Sequence, residues 1–232
     1  MDYISSNYQP LSVEDVYRDI RNRILKLELE PGLKISENQM CEEYKVSRSI
    51  IRTVFTRLSQ MELLTVYPQR GTYVSLIDLN YIEDLLILRT AVEKEVLYEI
   101  FTRIEENSRI MLVEELEKNL ALQEKCKKKD VYDKEFQKLD SVFHKIMIDS
   151  VKRYRLVEIL KNPMLHISRW RNLDVAAIEG RLHQLIEEHR AVTNGIKENS
   201  LNKAQAAMQN HLETISKAAA IAKEKYPQYF TK

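Results

Sequence analysis

Three histidines and one aspartate in the C-terminal half of the sequence have the residue types and spacing of a metal site. Asp140 and His144 are four residues apart, so a helix would carry both on one face. His189 and His211 each lie in a later run whose apolar residues recur every three or four positions. Imidazole and carboxylate ligands together suit zinc, nickel, manganese or iron. We therefore predict that these residues, on three helices, hold one divalent ion, with zinc as the first expectation.

Two other interpretations of this group stay open. A histidine on an apolar helix face is commonly a hydrogen-bonded core residue, so a buried cluster without metal is the first alternative. The second is a metal-dependent hydrolase or lyase with an added targeting domain. The sequence offers no partnered general base at a recognisable spacing and no nucleophile motif. We therefore expect a binding site rather than an enzyme.

Arg89 is a candidate for binding an anionic effector. It falls on the apolar stripe of its predicted helix, and a buried arginine needs an acidic partner. A ligand carboxylate held by two parallel hydrogen bonds would serve, and so would an internal ion pair with Glu93, four residues later. Four further residues could line the same pocket and receive no role from the sequence: His166, Arg169, Arg171 and His183.

A basic group in the N-terminal third has the pattern of a DNA-reading helix. Arg48 and Arg52 are four residues apart, with Ser49 and Thr53 beside them. One α-helix fits the major groove, where arginine pairs with guanine and hydroxyl side chains contact phosphates or base edges. The chain as a whole is nearly neutral, with 36 basic and 35 acidic residues, so this local excess matters more than the net charge. A solvated basic helix face is the alternative.

The elements around this helix predict a winged helix-turn-helix, which consists of three helices and a β-hairpin wing. The helices are predicted at 12–27, 36–44 and 48–60, the first two opened by capping boxes at Ser12 and Ser36. Short strands at 63–67 and 72–74 are joined by a turn of Pro68, Gln69, Arg70 and Gly71. The last three of these residues would reach the minor groove or the DNA backbone. The first domain is predicted to span 1–77.

The rest of the chain, 78–232, is predicted to form an all-helical bundle, which makes the protein mainly α. Helices are expected near 80–104, 108–127, 131–150, 154–172, 179–197 and 200–225, with Pro163 breaking or kinking the fourth. The chain has only four glycines, and those at 32, 71 and 195 fall in predicted turns. Its two cysteines lack a disulfide or CxxC pattern, and no segment has the length of a membrane span or a signal. We expect a cytoplasmic protein.

The N-terminal motifs resemble those of the GntR family of regulators. The matching residues are Pro31-Gly32 with Glu37, Val46-Ser47-Arg48 with Arg52, Leu58, and Arg70-Gly71 with Val74. The resemblance covers about residues 11–76 and implies operator binding through the third helix and the wing. The chain departs from the family at Ser49-Ile50-Ile51, where Thr-Pro-Val is usual, and at Thr53-Val54, where Glu-Ala is usual. The fold should tolerate these changes, whereas the base preference need not follow the family.

The C-terminal half resembles the effector domain of the FadR branch of that family, the FCD domain, over roughly 80–222. Asp140 with His144, then Glu188-His189-Arg190, then His211-Leu212 match its motif, which implies a metal-ligand role for the aspartate and the three histidines. Arg89 corresponds to an early arginine of the family, although Ile87 stands where a glutamate is usual. Lys152-Arg153 replaces a usual Gly-Asn.

These observations together predict a metabolite-responsive transcriptional regulator, with repression as the expected mode. A single winged domain contacts few base pairs, so we expect a homodimer on a palindromic, double-stranded operator. The effector is expected to be a small organic acid that is bound by Arg89 near the metal. A regulator without any ligand is a further alternative.

Overall fold

The computed structural model describes residues 11–127 and 132–231, except for the side chains of 214–217. The chain forms two compact units. The first ends at Ile77 and also takes up the chain from Gln228 onward, and the second runs from Asp78 to Pro227. The predicted second domain, 78–232, thus extends beyond the second unit, because Ile77 forms a parallel β-bridge with Phe230.

The first unit has the predicted order of three helices and a wing, with one additional strand. Its elements are α1 Val13–Leu25, β1 Lys34–Ile35, α2 Glu37–Tyr44, α3 Arg48–Gln60, β2 Leu64–Tyr67 and β3 Gly71–Val74. The capping box of Ser12 and Asp15 opens α1 as predicted. The one predicted at Ser36 is wrong, because this N-cap residue makes no side-chain hydrogen bond.

The three strands form an antiparallel sheet in the order β1-β3-β2. Strand β1 was not predicted, because two residues are too few to display an alternating pattern. The wing turn lies one residue earlier than predicted, since the amide of Arg70 donates to the carbonyl of Tyr67 at 3.0 Å. Pro68 is therefore the second residue of the turn and Gln69 the third, where its φ of 60° meets the need of a type II turn for positive φ.

In its described residues the second unit is all helical, as predicted. Its helices are α4 Leu79–Thr102, α5 Glu106–Cys126, α6 Lys134–Ser150, α7 Tyr154–Ala177, α8 Arg181–Lys197, α9 Leu201–Lys217 and α10 Ala219–Lys225, before a 3-10 turn at Pro227–Tyr229. Helix α7 continues through Pro163 instead of breaking there. The predicted helix 200–225 is two helices, and the first residue of the predicted helix 131–150 lies outside the described residues.

Gly195 lies inside α8 rather than in the predicted turn. A Cβ at this position would lie 2.5 Å from the backbone nitrogen of Ala204 on α9. Only a glycine permits so close an approach of the two backbones. The glycine therefore brings together the two helices that carry His189 and His211.

Within the described residues, no helix combines the length and the apolar character needed to cross a membrane. Cys41 and Cys126 form no disulfide in the described part of the chain.

Candidate metal centre and nucleic-acid interface

The second unit brings the four predicted metal ligands to one point in its interior. Asp140 and His144 project from α6, His189 from α8 and His211 from α9. All four side chains are buried, and one potential ligand atom from each lies within 4.8 Å of the others. A metal with bonds of about 2.1 Å keeps adjacent ligand atoms about 3 Å apart and opposite ones about 4 Å apart. One ion is therefore compatible with this spacing.

The atoms that face this point have no hydrogen-bond partner. They are Oδ1 of Asp140 and the Nε2 atoms of the three histidines. His189 Nε2 lies 3.3 Å from Asp140 Oδ1, but the two do not form a hydrogen bond. Buried polar atoms are rarely left unpaired, because each such atom costs free energy. Four of them around one point fit a bound cation, and the donor set suits zinc.

The other ring nitrogen of each histidine is already engaged. His144 Nδ1 lies 2.5 Å from Glu93 Oε2, His189 Nδ1 lies 2.9 Å from Gln123 Oε1, and His211 Nδ1 lies 2.9 Å from Glu188 Oε2. These acceptors are carboxylate or amide oxygens, so each Nδ1 carries the proton and donates it. The Nε2 lone pairs are then free for a metal, and each ring is held in place by its partner.

Gln123 is itself fixed by a chain of hydrogen bonds. Its Nε2 donates to Asn119 Oδ1 at 2.7 Å, and the Asn119 amide nitrogen donates to the carbonyl of Leu139 at 3.1 Å. This chain orients the amide oxygen of Gln123 toward His189. These contacts could not be predicted from the sequence, because they join α5 to α6 and α8 only in the folded chain.

Tyr132 completes the surroundings of Asp140. Its buried hydroxyl donates to Asp140 Oδ2 at 2.8 Å, which leaves Oδ1 as the free oxygen. Burial acts to raise the pKa of Asp140, but His189, His144 and Arg171 hold that pKa below its ordinary value. Asp140 is therefore ionised at neutral pH.

His189 and His211, by contrast, are neutral at that pH. Burial lowers the pKa of His189 to about 4, although Asp140 acts in the opposite direction. Burial, reinforced by His189 and His144, lowers the pKa of His211 well below its usual range. Neutral imidazole is the form that binds metal ions. The protonation states therefore also suit a metal centre.

Arg89 forms the ion pair that was the alternative to effector binding. Its Nε donates to Glu93 Oε1 at 2.6 Å, and both side chains are buried. Burial acts to raise the pKa of Glu93, but His144 and Arg89 lower it to about 2. Arg89 makes no other hydrogen bond within the part of the chain that the structure describes. It also lines a cavity of about 300 Å³ together with His144, so its terminal amino groups remain available for a ligand.

The four residues to which the sequence assigned no role lie in different surroundings. Arg171 and Asp174 belong to a buried network that continues through Arg181 to Glu188, the partner of His211. Arg169 is also buried. Against α4, the ring of His166 packs edge-on to Tyr81, whereas His183 is exposed.

The first unit presents the four predicted DNA-contacting side chains of α3 on its surface. Arg48 and Arg52 are exposed, as are Ser49 and Thr53. Arg48 makes no hydrogen bond or ion pair with any described residue. Arg52 Nε donates to Glu37 Oε2 at 3.0 Å, and Thr53 Oγ1 donates to the carbonyl of Ser49 at 2.9 Å. Glu37 therefore orients Arg52, a role that the sequence did not predict.

At the wing tip Gln69 and Arg70 are exposed and Gly71 is half-buried. A Cβ at Gly71 would lie 2.8 Å from Cε of Lys34, whose exposed side chain comes from β1. Lys34 thus adds a basic group to the wing. It could not be assigned from the sequence, because β1 itself was not predicted.

Two family models match the chain. The model described as bacterial regulatory proteins, gntR family, matches residues 12–74, and the FCD domain model matches residues 84–214. The second match alone covers more than half of the chain, and it includes every predicted metal ligand together with Arg89.

Individual relatives agree with the family models. An HTH-type transcriptional regulator in an unstable DNA locus of Streptomyces ambofaciens is 29% identical over 87% of this chain and 82% of its own. The HTH-type transcriptional repressor RspR of Escherichia coli is 24% identical over 96% of this chain and 95% of its own. Among solved structures, McbR/YncC of E. coli has a TM-score of 0.68 at 15% identity, over 92% of this chain and 98% of that one. A GntR regulator from Rhodococcus sp. RHA1 has a TM-score of 0.69 at 19% identity, over 90% and 96%.

Proposed function

The chain belongs to the GntR family of bacterial regulatory proteins and has its FCD effector-binding domain, and from this premise we propose that it is a metabolite-responsive transcriptional repressor. Repression is the activity named for the relative RspR, which aligns over nearly the whole chain. The families and relatives are transcriptional regulators rather than enzymes, which argues against the hydrolase or lyase alternative. The protein would act in the cytoplasm, where bacterial operators lie.

The DNA-binding residues we propose are the exposed groups of α3 and of the wing. Arg48 and Arg52 would pair with guanines in the major groove, while the hydroxyl groups of Ser49 and Thr53 contact phosphates or base edges. Gln69, Arg70 and Gly71 would follow the adjacent backbone or minor groove. A homodimer would place two such units on the halves of a palindromic operator, which supplies the specificity that one unit lacks.

The metal site we propose consists of Asp140, His144, His189 and His211, with zinc as the ion and nickel, manganese or iron as alternatives. The observation that carries the proposal is the convergence of four unpaired ligand atoms in a buried space. When bound, a divalent ion would cross-link three helices and present positive charge to an anionic ligand. Burial keeps His189 and His211 neutral, and the partners of the three Nδ1 atoms set the tautomers of the rings.

The effector we propose is a small organic acid whose carboxylate is held by Arg89. Glu93 engages Nε of this arginine, which leaves the two terminal amino groups for two parallel hydrogen bonds to a carboxylate. The cavity beside Arg89 and His144 has a volume of about 300 Å³, at the small end of the range for ligand pockets. An acid bound there would contact helices α4, α6 and α7.

The proposal is tested by selecting DNA from a random-sequence pool with the purified, zinc-loaded full chain. We expect enrichment of an inverted repeat, and a gel shift whose stoichiometry is two chains per site. A panel of simple carboxylic acids should then alter the affinity for that site. If no sequence is enriched over the starting pool, the regulator assignment fails. If a site is found but no acid changes its binding, the effector part fails.

A further inference from the structure

The cavity beside Arg89 has one polar end and a largely apolar body. Arg89, Glu93 and His144 form the polar end. Four apolar side chains form much of the remaining lining, namely Ile148, Val157, Leu160 and Met164. The first lies on α6 and the other three on α7. A ligand whose carboxylate is at Arg89 would therefore place its remaining atoms mainly against hydrocarbon.

Few polar groups along these walls could satisfy a hydroxylated ligand. Ser141 is the neutral polar side chain that lines the cavity, and it is exposed. The charged side chains at the rim already have partners, since Lys145 pairs with Asp149 and Lys161 lies 3.6 Å from Glu158. Hydroxyl groups placed against the walls would lose water without gaining a hydrogen bond, which is unfavourable.

A second carboxylate on the ligand would lie against the same walls. The two lysines that line the cavity, Lys145 and Lys161, each already lie beside an acid. A second negative charge placed there without a basic partner would be unfavourable.

We propose that the effector is an apolar monocarboxylic acid, as distinct from a hydroxy acid, a sugar acid or a dicarboxylate. The inference rests on the carboxylate site proposed above, and it adds that the rest of the ligand is apolar. Each methylene buried against the walls should raise the affinity about fourfold, until the cavity is filled.

The test is calorimetry on the zinc-loaded full chain with matched acids. Acetate, butanoate and hexanoate vary the apolar length, adipate adds a second carboxylate to six carbons, and gluconate adds hydroxyl groups to six carbons. We expect the affinity to rise from acetate to hexanoate, and hexanoate to bind at least tenfold more tightly than adipate or gluconate. If adipate or gluconate binds more tightly than hexanoate, the proposed ligand class is wrong, although carboxylate binding at Arg89 is still supported. If none of these acids binds, the effector site itself is wrong.

A pair of substitutions on α7 locates the binding to these walls. Val157→Thr keeps the shape of the side chain and places a hydroxyl group in the cavity, so hexanoate should lose severalfold more affinity than acetate. Ile159→Thr makes the same type of change at an exposed position that does not line the cavity, and should alter neither acid. Equal effects of Val157→Thr on hexanoate and acetate would show that the chain of the acid lies elsewhere.

Discussion

The carboxylate of Glu93 accepts a hydrogen bond from Nδ1 of His144 at 2.5 Å. Its other oxygen accepts one from Arg89 at 2.6 Å. One buried acid thus connects Arg89, which we propose binds the effector, to the proposed metal ligand His144. A ligand that binds Arg89 would therefore also affect Glu93, the residue that orients His144.

Replacing Arg89 should remove the acid response. The Arg89→Gln variant loses the charge-assisted pair with the ligand, and carboxylate affinity should fall by about 2–4 kcal/mol. Calorimetry with hexanoate on the zinc-loaded variant measures this loss. The control is Lys94→Gln, which removes a half-buried positive charge from the same helix at a position that does not line the cavity. Unchanged hexanoate affinity in Arg89→Gln would show that Arg89 does not bind the carboxylate.

Removing the metal should destabilise the second unit. Without an ion, four unpaired polar atoms remain in an apolar interior, and Asp140 is the costliest of them because it is ionised. A strong chelator should therefore lower the melting temperature, and zinc should restore it. Elemental analysis should find about one divalent ion per chain. A melting curve that is insensitive to both chelator and added zinc, nickel or manganese would make these histidines ordinary core residues.

Substitutions of the ligands sharpen that experiment. His189→Ala and His211→Ala should each reduce the rescue by zinc. The matched control is His183→Ala, on the same helix as His189 but exposed and outside the cluster. If zinc restores the melting temperature equally in all three variants, the stabilising ion is bound elsewhere.

The partner of His189 should matter without touching the metal. Gln123→Leu preserves the size of the side chain but removes the acceptor for Nδ1, so the ring loses its fixed tautomer and orientation. Zinc affinity should fall about 10- to 100-fold, as measured by competition with a chelator. Gln184→Leu, at an exposed position, should have no effect. Wild-type zinc affinity in Gln123→Leu would show that this contact does not support the ligand.

Operator binding should depend on the two arginines of α3. Arg48→Ala and Arg52→Ala should each cost about 1–3 kcal/mol of specific affinity in a gel-shift titration with the selected site. Arg52 is already held by Glu37, so its guanidinium needs little reorganisation to reach a base. The control is Arg18→Ala, an exposed arginine of α1 paired with Asp15. Normal affinity in both α3 variants would remove this helix from the DNA interface.

Gly195→Ala should destabilise the second unit, although alanine is the better helix former. At an open helix position this substitution stabilises by about 1 kcal/mol. Here the new Cβ would lie 2.5 Å from the backbone nitrogen of Ala204, so we expect a loss of about 1–3 kcal/mol in chemical denaturation. Asn194→Ala, at the neighbouring exposed position, should be nearly neutral. A more stable Gly195→Ala variant would contradict the close packing of α8 and α9.

Sequence patterns predicted the elements that carry their own local signals. The apolar stripe and capping box of α1 are examples, and so is the four-residue spacing of Asp140 and His144, which depends only on helix geometry. The contacts of Gln123 and Glu188 with the histidines could not be predicted, because they join residues that are far apart in the chain. Strand β1 was missed for a related reason, since only its pairing with β3 defines it.

The bridge between Ile77 and Phe230 has a consequence for how the chain can be divided. The amide of Ile77 donates to the carbonyl of Tyr229 at 2.8 Å, the amide of Thr231 donates to the carbonyl of Ile77 at 3.0 Å, and the bridged side chains are buried. The polypeptide thus leaves the first unit after Ile77 and returns to it at Gln228, so the effector-binding unit is an insertion. A fragment cut after residue 77 would lose its closing segment and expose Ile77. A chimera that exchanges effector domains must therefore keep the final residues with the DNA-binding unit.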